Sequence, residues 1–308
     1  ILKAAEETPA GAMHIVQAFH DVGLPPGVLN LVFGIPADIS QYLIVSDAIR
    51  LVAFTGSTSV GRHLTGLAAD HMTPVLMELG GHAPVIVCED TDVGAAAASS
   101  AARAMRNTGQ VCTSPTRFFV HQAVYDQFLD GITRHCASTV VGAGMEHGVE
   151  MGPLANDRRL ATVTDLVADA CGTGGTLTTG GHRIGETGYF YEPTVLADVG
   201  DDARIMSEEP FGPVAIVNPV DSLDTAIERA NAVPFALAAY GFTNRADYMD
   251  RMVDQVEAGN LSINTLEASL PETPFGGMKS SGYGREGGTE GLHHYLTVKN
   301  VSQSIPIV

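Results

Sequence analysis

The sequence predicts an α/β protein in which helices cover parallel sheets. Short apolar runs with β propensity alternate along the chain with longer segments of helical apolar spacing. Many of these segments end at glycine or proline, which mark the turns between them. An order of strand, helix and strand favours parallel pairing, because each helix carries the chain back across the sheet.

The pattern of the first 80 residues predicts helices at 8–23, 37–46 and 58–71, and strands at 28–33, 51–55 and 74–79. The first helix places Ala12, Ile15, Val16 and Phe19 on one face and stops at Gly23. Beyond residue 80, strands are predicted at 84–87, 117–121 and 214–217, and helices at 92–107, 122–140, 155–171, 221–231 and 245–258. Residues 264–291 are rich in Gly, Pro and Ser, and residues 295–304 alternate like an edge strand.

Composition narrows the class of partner. The chain has 308 residues, of which 45% are hydrophobic and 17% charged, as in a folded globular protein. Its formal net charge is −18 and it has no cluster of Lys and Arg, so neither nucleic acid nor an anionic membrane is expected to bind. No apolar stretch has the length of a membrane span. The expected partner is a small molecule.

Four cysteines are too few for a disulfide framework in a chain of this length, so a reducing, cytoplasmic environment is expected. Neither a C-x-x-C pair nor an H-E-x-x-H pattern occurs among these cysteines and the eleven histidines. No metal is therefore predicted.

A glycine-rich turn, Gly56-Ser57-Thr58-Ser59-Val60-Gly61, joins a predicted strand to a predicted helix. The N–H groups and the helix dipole at such a junction attract a phosphate. The turn is neither a P-loop nor a G-x-G-x-x-G motif. An ordinary turn with a Ser/Thr cap is the alternative interpretation.

Two side chains with catalytic potential follow predicted elements. Glu78 ends a buried strand just before Gly80-Gly81, where burial would raise its pKa and suit it to proton abstraction. Cys112 follows a turn after an Ala-rich helix, where a local positive field would favour its thiolate. The alternatives are a solvated acid at a strand end and an inert, buried cysteine.

Two further motifs are rich in turn residues. Glu208-Glu209-Pro210-Phe211-Gly212-Pro213 can aim a carboxylate and a ring at one ligand, or else form a surface turn anchored in the core by Phe211. The stretch from Pro274 to Gly288 combines many glycines with charged residues. It indicates either a backbone that approaches another group closely or a flexible surface loop.

In this order and spacing, the motifs resemble the aldehyde dehydrogenase superfamily over nearly the whole chain. Glu78-Leu79-Gly80-Gly81 matches the family's glutamate motif, and Gly109-Gln110-Val111-Cys112 matches its cysteine motif 34 residues later. Glu209–Pro213 matches the motif beside the nicotinamide. Pro274-Phe275-Gly276-Gly277, with Lys279, Ser281 and Gly282, matches the late loop.

The resemblance implies a partial Rossmann-like cofactor domain at residues 1–80 and an α/β catalytic domain at 81–282. It also implies a C-terminal segment, 283–308, with an oligomerisation strand near Thr297–Ser302 that would pair between subunits of a homodimer or homotetramer. Family members carry roughly another 150 residues before the position of Ile1, within the usual size of a domain. Those residues would include an asparagine that helps to hold the oxyanion, and loss of one such donor typically costs about 10²–10³ in rate. The function is therefore assigned to the intact protein.

The resemblance implies oxidation of an aldehyde to an acid with a nicotinamide cofactor. Cys112 would attack the carbonyl, hydride would leave the thiohemiacetal, and Glu78 would activate the water that hydrolyses the thioester. Gly56 and Ser57 would lie along the pyrophosphate, Glu209 would hold the nicotinamide ribose, and Phe211 would pack near the ring. The full set of implied cofactor contacts is Lys3, Glu6, Gly56, Ser57, Gly61, Leu79, Glu209 and Phe211.

The implied adenosine contacts bear on the choice of cofactor. A carboxylate at Glu6 would accept from both ribose hydroxyls and repel a 2′-phosphate, which favours NAD. Lys3 would offset that repulsion, so NADP is possible.

The closest subfamily resemblance is to the succinate-semialdehyde dehydrogenases, through residues 106–110 and 275–287. Arg106 matches a position that contacts the substrate carboxylate there, and Ser269 and Phe275 are further candidate substrate contacts. Pairing of Arg106 with a structural acid is the alternative. Because Thr113 directly follows the nucleophile, no vicinal redox cysteine is present there.

Three other functions are consistent with parts of the pattern. A Cys-dependent hydrolase or acyltransferase would leave the Gly56–Gly61 turn and Glu209 without a role. A CoA-acylating dehydrogenase would not need the base Glu78. An inactive or structural remnant of the family would not need an intact Cys112 and Glu78.

Overall fold

The structure, a computed structural model, describes residues 1–305. Helices α1 to α9 span Pro9–Asp21, Pro36–Ile44, Thr58–Ala69, Val93–Met105, Tyr125–Ala137, Asp157–Gly172, Leu223–Asn231, Ala246–Gln255 and Glu290–His293. Strands β1 to β14 span Leu2–Lys3, Leu31–Val32, Val52–Thr55, Val75–Glu78, Ala83–Val87, Pro115–His121, Thr176–Thr179, Thr194–Ala197, Val214–Val220, Phe235–Ala236, Ala238–Phe242, Asn260–Ile263, Met278–Lys279 and Gly282–Tyr283. This alternation confirms the predicted α/β class.

Internal contacts divide the chain into two units. The smaller unit comprises residues 1–53 and 59–75, and the larger unit comprises residues 54–58 and the chain from Leu76 onward. The glycine-rich turn therefore begins in the larger unit, together with Glu78 and Cys112. The functional domain bounds 1–80, 81–282 and 283–308 stay predictions.

The larger unit is built on a seven-stranded sheet of order β12-β11-β5-β6-β9-β8-β7. Neighbouring strands are parallel except β7, which runs antiparallel to β8. Alternate residues along the central strands enter opposite cores: Ile86 and Phe119 face one cluster, while Val85 and Phe118 face the other. This two-sided burial explains the continuous apolar runs at β5, β6 and β9.

Helices cover both faces of this sheet. Ala-rich α4 and amphipathic α5 pack over one core, whereas α6, α7 and α8 supply residues to the other. The side chain of Asp92 accepts from Ala95 N at 3.1 Å and starts α4. Small residues at the buried positions of α4, such as Ala97 and Ala101, allow α5 to approach closely.

The smaller unit contains a short parallel pair, with Leu2 opposite Leu31 and Lys3 opposite Val32. Its helices bury little: α1 has no buried residue, and Ile44 is the buried residue of α2. Helix α3 buries Gly61, Leu64 and Ala68. Much of the apolar surface of this unit is exposed.

Several strands escaped the sequence prediction. β7, β8, β11 and β12 were not predicted, and the run at 28–33 forms only the two-residue β2. β11 reads Ala-Ala-Tyr-Gly-Phe and lacks β-branched residues, so tertiary packing rather than propensity places it in the sheet.

Residues 296–305 form no strand within the single chain. A strand that pairs between subunits needs a second chain, so the oligomerisation strand stays a prediction; residues 306–308 of that segment lie outside the described residues. Within residues 1–305, no helix is long and apolar enough to cross a membrane.

Candidate active site

Cys112 follows a tight turn at the end of α4. The helix ends at Met105, two residues earlier than predicted, and a 3-10 turn spans Arg106–Gly109. Asn107, Thr108 and Gly109 all have left-handed backbone conformations, with φ of 52°, 59° and 66°. A Cβ atom at Gly109 would lie 1.9 Å from the Gly212 carbonyl oxygen, so only glycine fits there. The turn therefore brings the nucleophile loop against the Glu209–Pro213 motif.

Hydrogen bonds hold this loop on both sides of the nucleophile. The Thr108 hydroxyl donates to Gly152 O at 3.0 Å, and Gln110 Oε1 accepts from Ala155 N at 2.9 Å. After the nucleophile, the Tyr240 hydroxyl donates to Thr113 O at 2.7 Å. The backbone around Cys112 is thus fixed before any ligand binds.

The glycine pair Gly80-Gly81 joins three of the sequence motifs. A Cβ atom at Gly81 would lie 2.3 Å from Cys112 O, and one at Gly80 would lie 2.6 Å from Glu209 Oε2. Gly81 N donates to Glu209 Oε1 at 3.0 Å. The glycines are therefore needed because the Cys112 backbone and the Glu209 carboxylate both approach this segment closely.

The late glycine-rich loop is attached to the same segment through Ser281. This fully buried hydroxyl donates to Gly80 O at 2.7 Å and accepts from Ala236 N at 3.0 Å. Strand β14 pairs antiparallel with β4, with Gly282 opposite Glu78. The close-approach interpretation of the loop is confirmed.

The Glu78 side chain is only 4% exposed, so the interpretation as a solvated acid is wrong. Within the described residues, neither of its carboxylate oxygens has a hydrogen-bond partner. Burial, followed by the charge of Glu286, raises the pKa of Glu78 to about 8, while Arg285 lowers it. Glu78 is thus a protonated acid at neutral pH that becomes a base near pH 8.

The prediction of a positive electrostatic field at Cys112 is wrong. Burial and the negative charges of Glu209 and Glu78 raise the pKa of this thiol to about 11. The backbone N–H groups of Cys112 and Thr113 act in the opposite direction. The thiol is therefore protonated at neutral pH.

Cys112 nevertheless differs from the structural cysteines. Cys88 and Cys136 are buried in the cores, and burial raises the pKa of each thiol to about 12. Cys112 is partly exposed, and it is next to the only segment at which the three motifs meet in the described part of the chain. The interpretation as an inert core cysteine does not describe it.

Glu209 and Phe211 lie on one turn and are both partly exposed. Burial raises the pKa of Glu209 to about 7, whereas the Gly81 N–H and the charge of Arg159 lower it. Phe211 has a φ of 44°, and its ring centroid lies 5.4 Å from Arg159 Cζ. Phe211 is therefore not a core anchor.

The remaining cofactor candidates of the larger unit are Gly56 and Ser57 in the glycine-rich turn and Leu79 directly after β4. Gly56 N donates to Glu78 O at 3.0 Å, which ties the glycine-rich turn to the catalytic strand. Ser57 is exposed, Leu79 is buried, and Thr58 Oγ1 donates to Ser280 O at 3.2 Å. The Gly56 N–H is thus used within the protein, and the contact of this turn with the pyrophosphate stays a prediction.

Three cofactor candidates belong to the smaller unit. Lys3 Nζ and Glu6 Oε2 form an ion pair of 3.1 Å, and Gly61 is buried within α3. Because the two acid–base partners neutralise each other, the pair weakens the repulsion that Glu6 alone would exert on a 2′-phosphate.

The substrate candidates are on the surface. Arg106 and Ser269 are exposed, and Phe275 is partly buried and exchanges two backbone hydrogen bonds of 2.7 Å with Glu286. Arg106 forms no ion pair with any residue in the range 1–305, so the structure provides no structural acid for it. No hydrogen bond joins Arg106 to Ser269 among these residues.

Sequence reasoning missed Glu286, Arg285 and Arg159 as contributors to the site. The first two lie within the Gly-rich stretch and were recognised only as charged residues beside glycines. Arg159 lies on α6, far from every motif along the chain, and no local sequence pattern indicates a role for it. Only the fold brings it to Glu209.

The residues present fit a nicotinamide dinucleotide. Glu209 offers a carboxylate beside a glycine cradle, Phe211 offers a partly exposed ring, and Glu78 has two unpartnered buried oxygens close to the cysteine. These groups match the polar and aromatic functions that a ribose and a pyridine ring require.

Comparison with known proteins identifies the family. Residues 1–301 match the model of the aldehyde dehydrogenase family. A putative 4-(hydroxymethyl)benzenesulfonate dehydrogenase, TsaD2 of Comamonas testosteroni, is 48% identical over 299 residues, covering 97% of this chain and 62% of the relative. A probable NADP(+) succinate-semialdehyde dehydrogenase of Sinorhizobium fredii is 39% identical over 302 residues, covering 97% of this chain and 61% of the relative.

Solved structures show the same likeness. The crystal structure of succinate-semialdehyde dehydrogenase from Burkholderia pseudomallei superposes with a TM-score of 0.94 at 39% identity, covering 96% of this chain and 61% of that one. The chain thus spans about three fifths of the length of these relatives. With the family model matched from residue 1 to residue 301, the chain belongs to the aldehyde dehydrogenase family.

Proposed function

We propose that the intact protein oxidises an aldehyde to a carboxylic acid with a nicotinamide cofactor, through a thiohemiacetal and a thioester on Cys112. The observation that carries this proposal is the contact of Gly80-Gly81 with both the Cys112 backbone and the Glu209 carboxylate. It brings Cys112, the buried Glu78 and the Glu209 carboxylate around one segment, which supports these roles. A hydrolase without a nucleotide would have no use for Glu209 in that position.

The first step needs a thiolate. Because the Cys112 pKa is about 11 in the free protein, the partly exposed thiol must lose its proton to solvent as the sulfur attacks. Glu78, with a pKa of about 8 and no hydrogen-bond partner among the described residues, is the base for the later attack of water. The N–H groups of Cys112 and Thr113 then stabilise negative charge at the reacting centre.

The proposed reaction has two halves, oxidation of the aldehyde to a thioester and hydrolysis of that thioester. Sulfur attack forms a C–S bond and an alkoxide, and collapse of the alkoxide expels hydride from the same carbon. A nicotinamide held by Glu209 and Phe211 would accept this hydride. Water then adds to the thioester as Glu78 takes its proton, and cleavage of the C–S bond returns the Cys112 thiolate.

Both NAD and NADP are proposed as cofactors. The Glu6 carboxylate favours NAD, whereas the Lys3–Glu6 ion pair of 3.1 Å reduces the repulsion of a 2′-phosphate. The relative from Sinorhizobium fredii, named for NADP(+), supports the second choice.

The proposed substrate is an aldehyde with an anionic group at its far end, such as succinate semialdehyde. Arg106 is an exposed guanidinium with no ion-pair partner among residues 1–305, next to the turn that presents Cys112. The relatives are named for a benzenesulfonate and for succinate semialdehyde, and both compounds carry an anion. A charge-assisted contact from Arg106 would select this feature.

A substrate panel on the intact protein tests both levels of the proposal. Succinate semialdehyde and 4-sulfobenzaldehyde are compared with butanal and benzaldehyde, with each cofactor, by absorbance of the reduced nicotinamide. The anionic aldehydes should have the higher kcat/KM, and Arg106→Met should remove at least about tenfold of it, as expected for a hydrogen bond to a charged group. Equal kcat/KM values for anionic and neutral aldehydes contradict the substrate class, and absence of reduction with every aldehyde contradicts the enzyme function.

Cytoplasmic location and assembly as a homodimer or homotetramer are proposed on the resemblance alone. Size measurement of the intact protein by light scattering decides the second point.

A further inference from the structure

One segment outside the sequence motifs contacts two of them. Residues 152–159 lead into α6 and accept the Thr108 hydroxyl at Gly152 O, 3.0 Å away. Ala155 N donates to Gln110 Oε1 at 2.9 Å. At its far end, Arg159 reaches the turn that carries Glu209 and Phe211. The segment therefore links the nucleophile loop to the cofactor-binding turn.

The helix cap fixes the backbone of Arg159, and the side chain of Arg159 contacts Pro210 and Phe211. Its N–H donates to the side chain of the helix cap Asn156 at 2.9 Å, which fixes the first turn of α6. Its Nη1 donates to Pro210 O at 3.1 Å, and its Cζ lies 5.4 Å from the Phe211 ring centroid. A guanidinium can make both contacts at once because it is planar, with a donor edge and a stacking face.

The turn that contains Pro210 and Phe211 needs contacts from the rest of the protein to keep its backbone conformation. Phe211 has a φ of 44°, in the left-handed region that non-glycine residues disfavour. Such a conformation persists only where surrounding contacts over-determine it. The bond to Pro210 O and the stack on the Phe211 ring act on the residues at this strained position.

The charge of Arg159 also reaches Glu209. Glu209 is faced by the Gly81 N–H from the glycine segment, by the Cys112 thiol from the nucleophile loop and by Arg159 from α6. Burial opposes ionisation of Glu209, and the N–H and the guanidinium oppose that effect. A carboxylate accepts two ribose hydroxyls well only when it is ionised.

We propose that Arg159 is a positioning residue for the nicotinamide end of the cofactor: through Pro210 O and the Phe211 ring, it holds the turn that carries Glu209 and Phe211 in place. The inference rests on the proposed cofactor function of Glu209. Arg159 need not touch the reacting atoms for this role.

Calorimetric titration of the intact protein with NAD and NADP between pH 6 and 9 tests the inference. Affinity should rise as pH increases through the Glu209 pKa of about 7. Arg159→Met should weaken binding by about tenfold near pH 7, which corresponds to about 1.4 kcal/mol.

The pH profile distinguishes positioning from a general loss of structure. Removal of the guanidinium raises the Glu209 pKa further, so the rise in affinity should move to higher pH and the deficit should shrink at pH 9. Arg159→Lys should restore the wild-type pH profile, because the ammonium keeps the charge, but only part of the affinity, because it lacks the planar fork. Arg159→Gln serves in the same assay if the Met variant does not fold.

Matched controls complete the design. Arg134→Met, an exposed arginine of α5, should bind as the wild type does. In a Glu209→Gln background, Arg159→Met should no longer shift the pH profile. An unchanged affinity and profile for Arg159→Met overturns the inference while the wild type still binds. A wild type that neither binds nor reduces the nucleotides overturns the proposed function on which the inference rests.

Discussion

The two units differ in how far they bury their own apolar residues. In the larger unit, cores on both faces of a seven-stranded sheet contain fully buried side chains such as Phe118, Phe119 and Phe128. In the smaller unit, α1 has the same helical periodicity, but Met13, Ile15 and Phe19 are 53%, 57% and 48% exposed. The apolar face of a helix is therefore buried in the larger unit, whereas that of α1 is largely exposed.

This difference in burial indicates which unit can hold catalytic side chains in fixed positions. Glu78 ends a strand and Cys112 and Glu209 lie on loops, and all three belong to the unit with buried cores on both faces of its large sheet. The smaller unit offers the Lys3–Glu6 pair, an exposed surface feature. We expect substitutions in the larger unit to have large effects and those in the smaller unit to have small ones.

The largest effect is expected from Cys112→Ala. Without sulfur, neither the thiohemiacetal nor the thioester forms, so turnover should fall by more than about 10⁴-fold. Steady-state reduction of the nicotinamide measures it. Cys171→Ala removes an exposed thiol and should keep the wild-type rate. Substantial turnover in Cys112→Ala would show that the chemistry lies elsewhere.

Glu78→Gln should have the next largest effect. Hydride transfer should still give a burst, but thioester hydrolysis should slow by about 10²–10⁴-fold, the usual contribution of a general base. Because the carboxylate is the active form, wild-type hydrolysis should rise with pH up to the Glu78 pKa of about 8 and then level off. The variant should lack this rise. Stopped-flow traces across the pH range separate burst from steady state, and an unchanged steady-state rate would remove Glu78 from the mechanism.

A pair of phenylalanine replacements tests the comparison of the units directly. Phe128→Ala opens a cavity in a dry core of the larger unit and should cost about 3–5 kcal/mol of unfolding free energy. Phe19→Ala on α1, where the ring is 48% exposed, should stay within about 1 kcal/mol. Urea unfolding of both variants gives the two values. Equal losses would mean that the Phe19 face is covered in the intact protein.

The smallest effect is expected from Glu6→Gln in the smaller unit. Loss of the carboxylate removes the repulsion of a 2′-phosphate and leaves Lys3 to attract it. The preference for NADP over NAD should rise about two- to fivefold, the scale of an exposed charge pair, and high salt should diminish it. The ratio of kcat/KM values for the two cofactors measures the change, and Glu7→Gln is the neighbouring control. A shift towards NAD would contradict the predicted contact.

Much of this site could be predicted because its requirements are local. No Cβ atom fits at Gly80, Gly81 or Gly109, so glycine is required there and can be recognised in the sequence. The long helices were also predictable, since each carries its own periodicity. The short strands β7, β8, β11 and β12 were not, because each has only four or five residues and forms by pairing with neighbouring strands of the sheet.

The sign of the field at Cys112 shows the limit of local reasoning. A cysteine after a helix suggested a positive surrounding, but residues 78 and 209 approach it from distant parts of the chain with negative charge. Arg159 escaped notice for the same reason, since 50 residues separate it from Glu209 along the chain.

By itself, the sequence determined the α/β class and the family, and it predicted Cys112 as nucleophile and Glu78 as base, because residue chemistry and glycine spacing are local properties of the chain. Only the tertiary structure decided that Glu78 is buried without a hydrogen-bond partner among residues 1–305, that the thiol is protonated, and that Arg159 supports the Glu209 turn. Those properties depend on burial and on charges brought together through space, which distance along the chain does not encode.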